Sequence, residues 1–127
     1  MDTFRTLIVD DDSDAARTLA AALEGQLGPT QVVSDAYQGL SRHADDPFDL
    51  VVVEVALPGA SGIDLLQRLD PPVPALVVTW LVSPAVAARA VKAGAHAVLT
   101  KPCDIANLVT AALSAAASRG PAQYVAV

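Results

Sequence analysis

Asp10, Asp11, Glu54, Thr79 and Lys101 each stand at or just past the end of a short aliphatic run, TLIV, LVVV, ALVV and AVLT in turn. Gathered in one place, they could do ion chemistry. Carboxylates held close together repel one another, and each is costly unless a cation offsets it. Oxygen donors of this kind suit a hard ion such as Mg²⁺, which keeps several waters and takes one or two carboxylates. Lys101 is the alternative counter-charge, a mobile ammonium able to pair directly with Glu54. Thr79 adds a hydroxyl donor. The residue types leave both cations open.

For these side chains to meet, the runs before them must be neighbouring strands. Residues 6–9, 30–34, 50–55, 75–80 and 97–100 read as five short strands. The third lacks polar alternation, so both of its faces should be covered. Between the strands the period changes. Ala16, Leu19, Ala20, Leu23 and Leu27 recur at helical spacing, with Ser13 or Asp14 as a cap and Gly28-Pro29 as the stop. Residues 36–44 form a weaker helix, and residues 63–69 a short one broken by DPPVP. The segment SPAVAARAVKAG is a helix with Pro84 in its first turn and Gly94 at its end. The last helix, capped by Asp104, carries Ile105, Leu108, Val109, Ala112, Leu113 and Ala116 on one stripe and ends near Gly120. Strands alternating with helices imply a parallel sheet covered on both faces, because parallel neighbours need crossover connections. Ligands of such doubly wound α/β folds sit beyond the carboxyl ends of the strands, where all five residues fall.

Composition bounds the function. With 127 residues, 53% hydrophobic and 17% charged, the chain suits one packed domain over residues 1–120, with 121–127 as a flexible tail or truncated linker. A net charge of −6 argues against direct nucleic-acid binding, which needs clustered Lys and Arg. No apolar stretch reaches membrane-spanning length. The start, MDTFRTLIVDDD, has an acid where a signal peptide needs a base, and the single Cys103 allows no intrachain disulfide. The expected location is the cytoplasm.

VDDD at residues 9–12, LPGASG after the third strand, Thr79 after the fourth and LTKP at residues 99–102 together resemble the receiver domain of bacterial two-component response regulators. The resemblance covers about residues 5–118. It implies a flavodoxin-like (βα)5 sandwich of strand order 2-1-3-4-5. It also implies that Asp10 and Asp11 form an acidic pocket for Mg²⁺, with Asp11 a direct ligand joined by Glu54 and the Ala56 backbone carbonyl if an ion binds at all. Thr79 would hydrogen-bond a phosphoryl group, Lys101 would neutralise it, and the Lys101–Pro102 bond would be cis. Expected partners are a histidine kinase or a downstream target. A second copy would dock on the face of helix four, strand five and helix five, where the Ala- and Val-rich helix four fits close approach as well as it fits plain helix propensity.

Three positions depart from that family's pattern. Glu54 occupies the place of the phosphoacceptor Asp, and its added methylene misplaces an in-line nucleophile, for which an error near 1 Å can cost about a hundredfold. Trp80 takes the place of a small residue beside the entrance, and is read either as a gate across the opening or as packing on the next helix. Val98 replaces the switch aromatic and has no ring to swing. The expectation is therefore an atypical, non-enzymatic receiver working through protein contacts without phosphorylation. The alternatives are a conventional Mg²⁺-dependent phosphoacceptor, a form held on by a charge mimicking phosphorylation, and a small phosphohydrolase. The last rests on Asp10-x-Asp12 and lacks all acids after Lys101 except Asp104. Asp12 and Asp14 are read as solvated or capping, Cys103 as a small buried hydrophobe, and Arg42, Arg68 and Arg89 as surface charges. His43 and His96 receive no role.

Overall fold

A computed structural model describes residues 3–118; the tail expected at 121–127 lies outside them. The chain runs β1 (Thr6–Val9), α1 (Ser13–Leu27), β2 (Thr30–Val33), α2 (Ala36–Asp45), β3 (Leu50–Val53), β4 (Ala56–Leu57), β5 (Ala60–Ser61), α3 (Gly62–Arg68), β6 (Ala75–Thr79), α4 (Pro84–Lys92), β7 (Ala95–Thr100) and α5 (Ile105–Ala117). Five strands form one parallel sheet in the order β2-β1-β3-β6-β7. This is the expected 2-1-3-4-5 arrangement. The labels shift because β4 and β5, unforeseen in the sequence, pair as a separate antiparallel hairpin.

The period-two geometry of a strand sorts the aliphatic runs onto two faces. Leu7, Val9, Val51, Val53 and Val77 point to the side covered by α2, α3 and α4, through Ala36, Leu65 and Ala90. Ile8, Leu50, Val52, Leu76 and Val78 point to the side covered by α1 and α5, through Leu19, Leu23, Leu108 and Ala112. Every residue of β1, β3 and β6 is buried, so no strand could afford polar alternation. Each such aliphatic side chain contributes about 1.5–3 kcal/mol of burial. In β7 a register shift between Ala75 and Leu76 of its partner strand sends Ala95 to one core and Ala97 to the other.

Several local expectations need correcting. The cap of α1 is Asp12, which accepts from the Ala15 N–H, instead of Ser13 or Asp14. β3 ends at Val53 rather than at residue 55, leaving Glu54 just beyond it. The buried stripe of α5 is Leu108, Ala112 and Ala115; Ile105 and Leu113 are exposed. An alanine-rich helix offers little contrast between faces, so its rotation about its axis is set by the tertiary fit. Asp104 does cap α5, Pro84 opens α4, and the Lys101–Pro102 bond is cis, as is Asp70–Pro71.

Gly62 opens α3 against the backbone that leaves β3. A Cβ built there would lie 1.9 Å from the Glu54 carbonyl oxygen, while the Gly62 N–H donates to Val55 O at 2.8 Å. Gly62→Ala should therefore push the Glu54 segment aside and destabilise the domain by about 2 kcal/mol, in the range of core overpacking. Urea midpoints with an unchanged slope would show it.

Candidate functional site

Three of the four sheet ladders continue one residue past their strands, and these extra bonds bring the site together. Asp10 N–H donates to Val33 O, Glu54 N–H to Val9 O and Lys101 N–H to Thr79 O, all within 2.9–3.0 Å. Asp10, Glu54, Thr79 and Lys101 are thereby fixed at the carboxyl end of the sheet, and all four are buried.

At the centre is the Lys101 ammonium. Its Nζ donates to Asp10 Oδ2 at 2.6 Å and lies 3.0 Å from Glu54 Oε1. The remaining carboxylate oxygens turn to backbone: Asp10 Oδ1 accepts from the Asp12 N–H at 3.0 Å and Glu54 Oε2 from the Ala56 N–H at 3.3 Å. The Glu54 arm thus folds into the pocket at 5% exposure, against 7% for Lys101 and 3% for Asp10. Charged groups this buried persist only when paired and hydrogen-bonded, and here they are both. Thr79 Oγ1 accepts from the Leu81 N–H at 3.1 Å, which ties the hydroxyl to the loop entering α4.

Burial alone would lower the Lys101 pKa, but hydrogen bonds to Asp10 and Glu54, together with their charges, outweigh it and raise the pKa above the ordinary lysine value of 10.5. The folded state then holds this proton more tightly than the unfolded chain. The resulting stability is fully present below pH 10.5 and is lost as pH rises through the higher folded value. Urea midpoints of the wild type should fall more steeply above pH 10.5 than those of Lys101→Met, where the linkage is absent.

The other candidate residues fall around this cluster. Asp11 is exposed at the start of the β1–α1 loop. Ala56 begins the β4–β5 hairpin and meets Glu54 through its N–H. Trp80, next to Thr79, is 60% exposed and continues into exposed Leu81 and Val82. Val98, expected in place of a switch aromatic, is half-buried and packs into the core beside α4. Among the described residues no group of three or more His, Cys, Asp or Glu converges as a metal cage. As placed, the two buried carboxylates face an ammonium, which an ion drawing on them would have to share or displace. Asp104, the acid on which a phosphohydrolase would depend, is used in capping α5 through the Ala106 and Asn107 N–H groups. Cys103 is half-buried rather than buried, and burial, with the Asp104 charge, pushes its thiol pKa up and away from reactivity.

His43, given no role from sequence, has a structural one. It is fully buried, accepts from the Phe48 N–H at Nδ1 (3.1 Å) and so carries its proton on Nε2, 2.7 Å from Pro71 O. Its ring stacks on Phe48, whose ring also carries the Arg5 guanidinium at 4.3 Å.

Fold and site together define a flavodoxin-like α/β domain whose polar centre lies beyond the carboxyl ends of its strands. The response regulator receiver domain family matches residues 6–113, and the chain belongs to that family. The response regulator PilR of Pseudomonas aeruginosa is 33% identical over 92% of this chain, which spans 27% of that relative. The DNA-binding response regulator MtrA of Mycobacterium tuberculosis is 34% identical over 86% of this chain, which spans 50% of it. The chain therefore corresponds to half or less of these relatives' lengths. A CheY-like receiver domain from Methanospirillum hungatei superimposes with a TM-score of 0.84 at 26% identity, covering 91% of this chain and 95% of that one. Receivers of this family are signalling domains of two-component systems. No helix among the described residues is long and apolar enough to cross a membrane.

Proposed function

We propose that this domain is an atypical receiver that signals through protein contacts without phosphorylation, with Glu54 standing where a phosphoacceptor Asp would be. One observation carries the reading: the Glu54 carboxylate is buried, with Oε1 on the Lys101 ammonium and Oε2 on the Ala56 N–H. A nucleophile must present a free oxygen in line with the phosphoryl donor, and this one is turned into its own pocket. Its fixed negative charge takes the place of a reversible modification. Val98 has no ring with which to relay a Thr79 movement, which agrees with a domain held in one state.

Partners are expected on the face made by α4, β7 and α5. β7 is an edge strand, and beside it a groove of about 640 Å³ is lined by Val98, Leu99, Pro102, Asn107 and Ala111. The partner is a histidine kinase, a downstream target or a second copy of the chain. MtrA is named as DNA-binding; by extension, the output here is an effector that this domain regulates. The retained Asp10, Asp11, Thr79 and Lys101 favour the conventional phosphoacceptor as the second reading. Beryllofluoride with Mg²⁺, followed by amide resonances, separates the two. The proposal expects no saturable shifts at residues 54, 79 and 101, whereas a conventional receiver shifts all three.

A further inference from the structure

We infer that Lys101 is the resident cation of the acidic pocket and that, while its ion pairs stand, the domain binds no Mg²⁺ there. The inference deepens the reading of the site as phosphorylation-independent, and it rests on geometry of its own. A divalent ion takes one or two carboxylates, and drawing on Asp10 or Glu54 requires their oxygens to turn toward it. Asp10 Oδ2 and Glu54 Oε1 instead converge on Nζ at 2.6 and 3.0 Å, and their other oxygens accept backbone N–H groups. All four oxygens of the two buried carboxylates are thus engaged.

An ion entering on these oxygens would compete with the ammonium for them, and displacing it would leave a buried charge stranded, the costly half of any buried pair. Asp11 remains available, but one exposed carboxylate in water holds a strongly hydrated ion weakly. The length of Glu54 is part of the device, since the longer arm reaches the ammonium and bends back to its own loop at Ala56. Charge balance says the same. Two buried carboxylates and one ammonium leave a residual charge of about −1, a far poorer attractor for a divalent ion than the uncompensated pair would be.

The test is a Mg²⁺ titration through the millimolar range against NaCl of matched ionic strength. It follows the amide resonances of residues 10–12 and 54–56 and the thermal midpoint. The wild type should show no saturable shift and no rise in midpoint. Lys101→Met, whose carboxylates lose their partner, should gain saturable shifts at those amides and a midpoint that climbs with Mg²⁺, because an ion that binds only the folded state stabilises it. Should Lys101→Met fold only when Mg²⁺ is present, that too supports the inference, and Lys101→Gln then supplies the metal-free comparison. Saturable Mg²⁺ shifts in the wild type overturn it, as does a folded Lys101→Met or Lys101→Gln that ignores Mg²⁺. Mg²⁺ binding by a wild type that still takes no phosphoryl group defeats this inference and leaves the proposed function standing. A phosphoryl adduct formed in Mg²⁺-free buffer does the reverse.

Discussion

Lys101→Met should lower the unfolding free energy by about 3 kcal/mol at neutral pH in metal-free buffer, the cost of stranding buried charges whose partner is gone. Methionine keeps most of the side-chain volume, so the loss reports charge rather than a cavity. Asp10 and Glu54 would face each other with only the Asp12 and Ala56 N–H groups to offset them. Adding Glu54→Gln should recover part of the loss by removing one of the two stranded charges, a coupling that a double-mutant cycle reads directly. A Lys101→Met protein as stable as the wild type would show that water already solvates the cluster.

His43→Leu should cost about 3 kcal/mol. The substitution leaves the buried Phe48 N–H without a partner, which costs about 1–3 kcal/mol, and takes the Nε2 donor from the Pro71 carbonyl. It also removes the ring stacked on Phe48, loosening the corner where α2, the entry to β3 and the proline-rich loop meet. Urea midpoints give the total. Hydrogen exchange at the Phe48 amide, protected in the wild type and fast in the variant, assigns it to this contact.

Part of this molecule was legible before any coordinates because its signals are strong and local. LVVV has no polar alternation, and it proved to be an interior strand with both faces covered, as did TLIV and ALVV beside it. The placement of Asp10, Glu54, Thr79 and Lys101 followed from one rule about where parallel strands end. The pairing of Glu54 with Lys101 was one of two cations the residue types allowed, and the bonds at 3.0 and 3.3 Å from its two oxygens are details of rotamer that no spacing encodes.

Other features were hidden for physical reasons. His43 bonds to backbone groups of Phe48 and Pro71, and backbone partners leave no residue-type signature. The β4–β5 hairpin is two residues per strand, too short for any period to register. The phase of α5 was misjudged because Ala115 and Leu113 differ less in apolar character than in where the sheet lies. Trp80 is 60% exposed, and the direction of an indole is a detail of rotamer that no spacing encodes. Gly62 sat in plain view in LPGASG, and one signal could have found its role: a glycine opening a helix where the chain must pass close to the preceding strand.

The claim on which the account turns is that a fixed, lysine-paired Glu54 replaces a reversible phosphoryl group. The most direct measurement is intact-mass analysis with peptide mapping after incubation with acetyl phosphate and Mg²⁺, run beside a receiver that has an Asp acceptor. The account predicts an adduct on the control and none on this domain. A phosphoryl group mapped to Glu54 would contradict it.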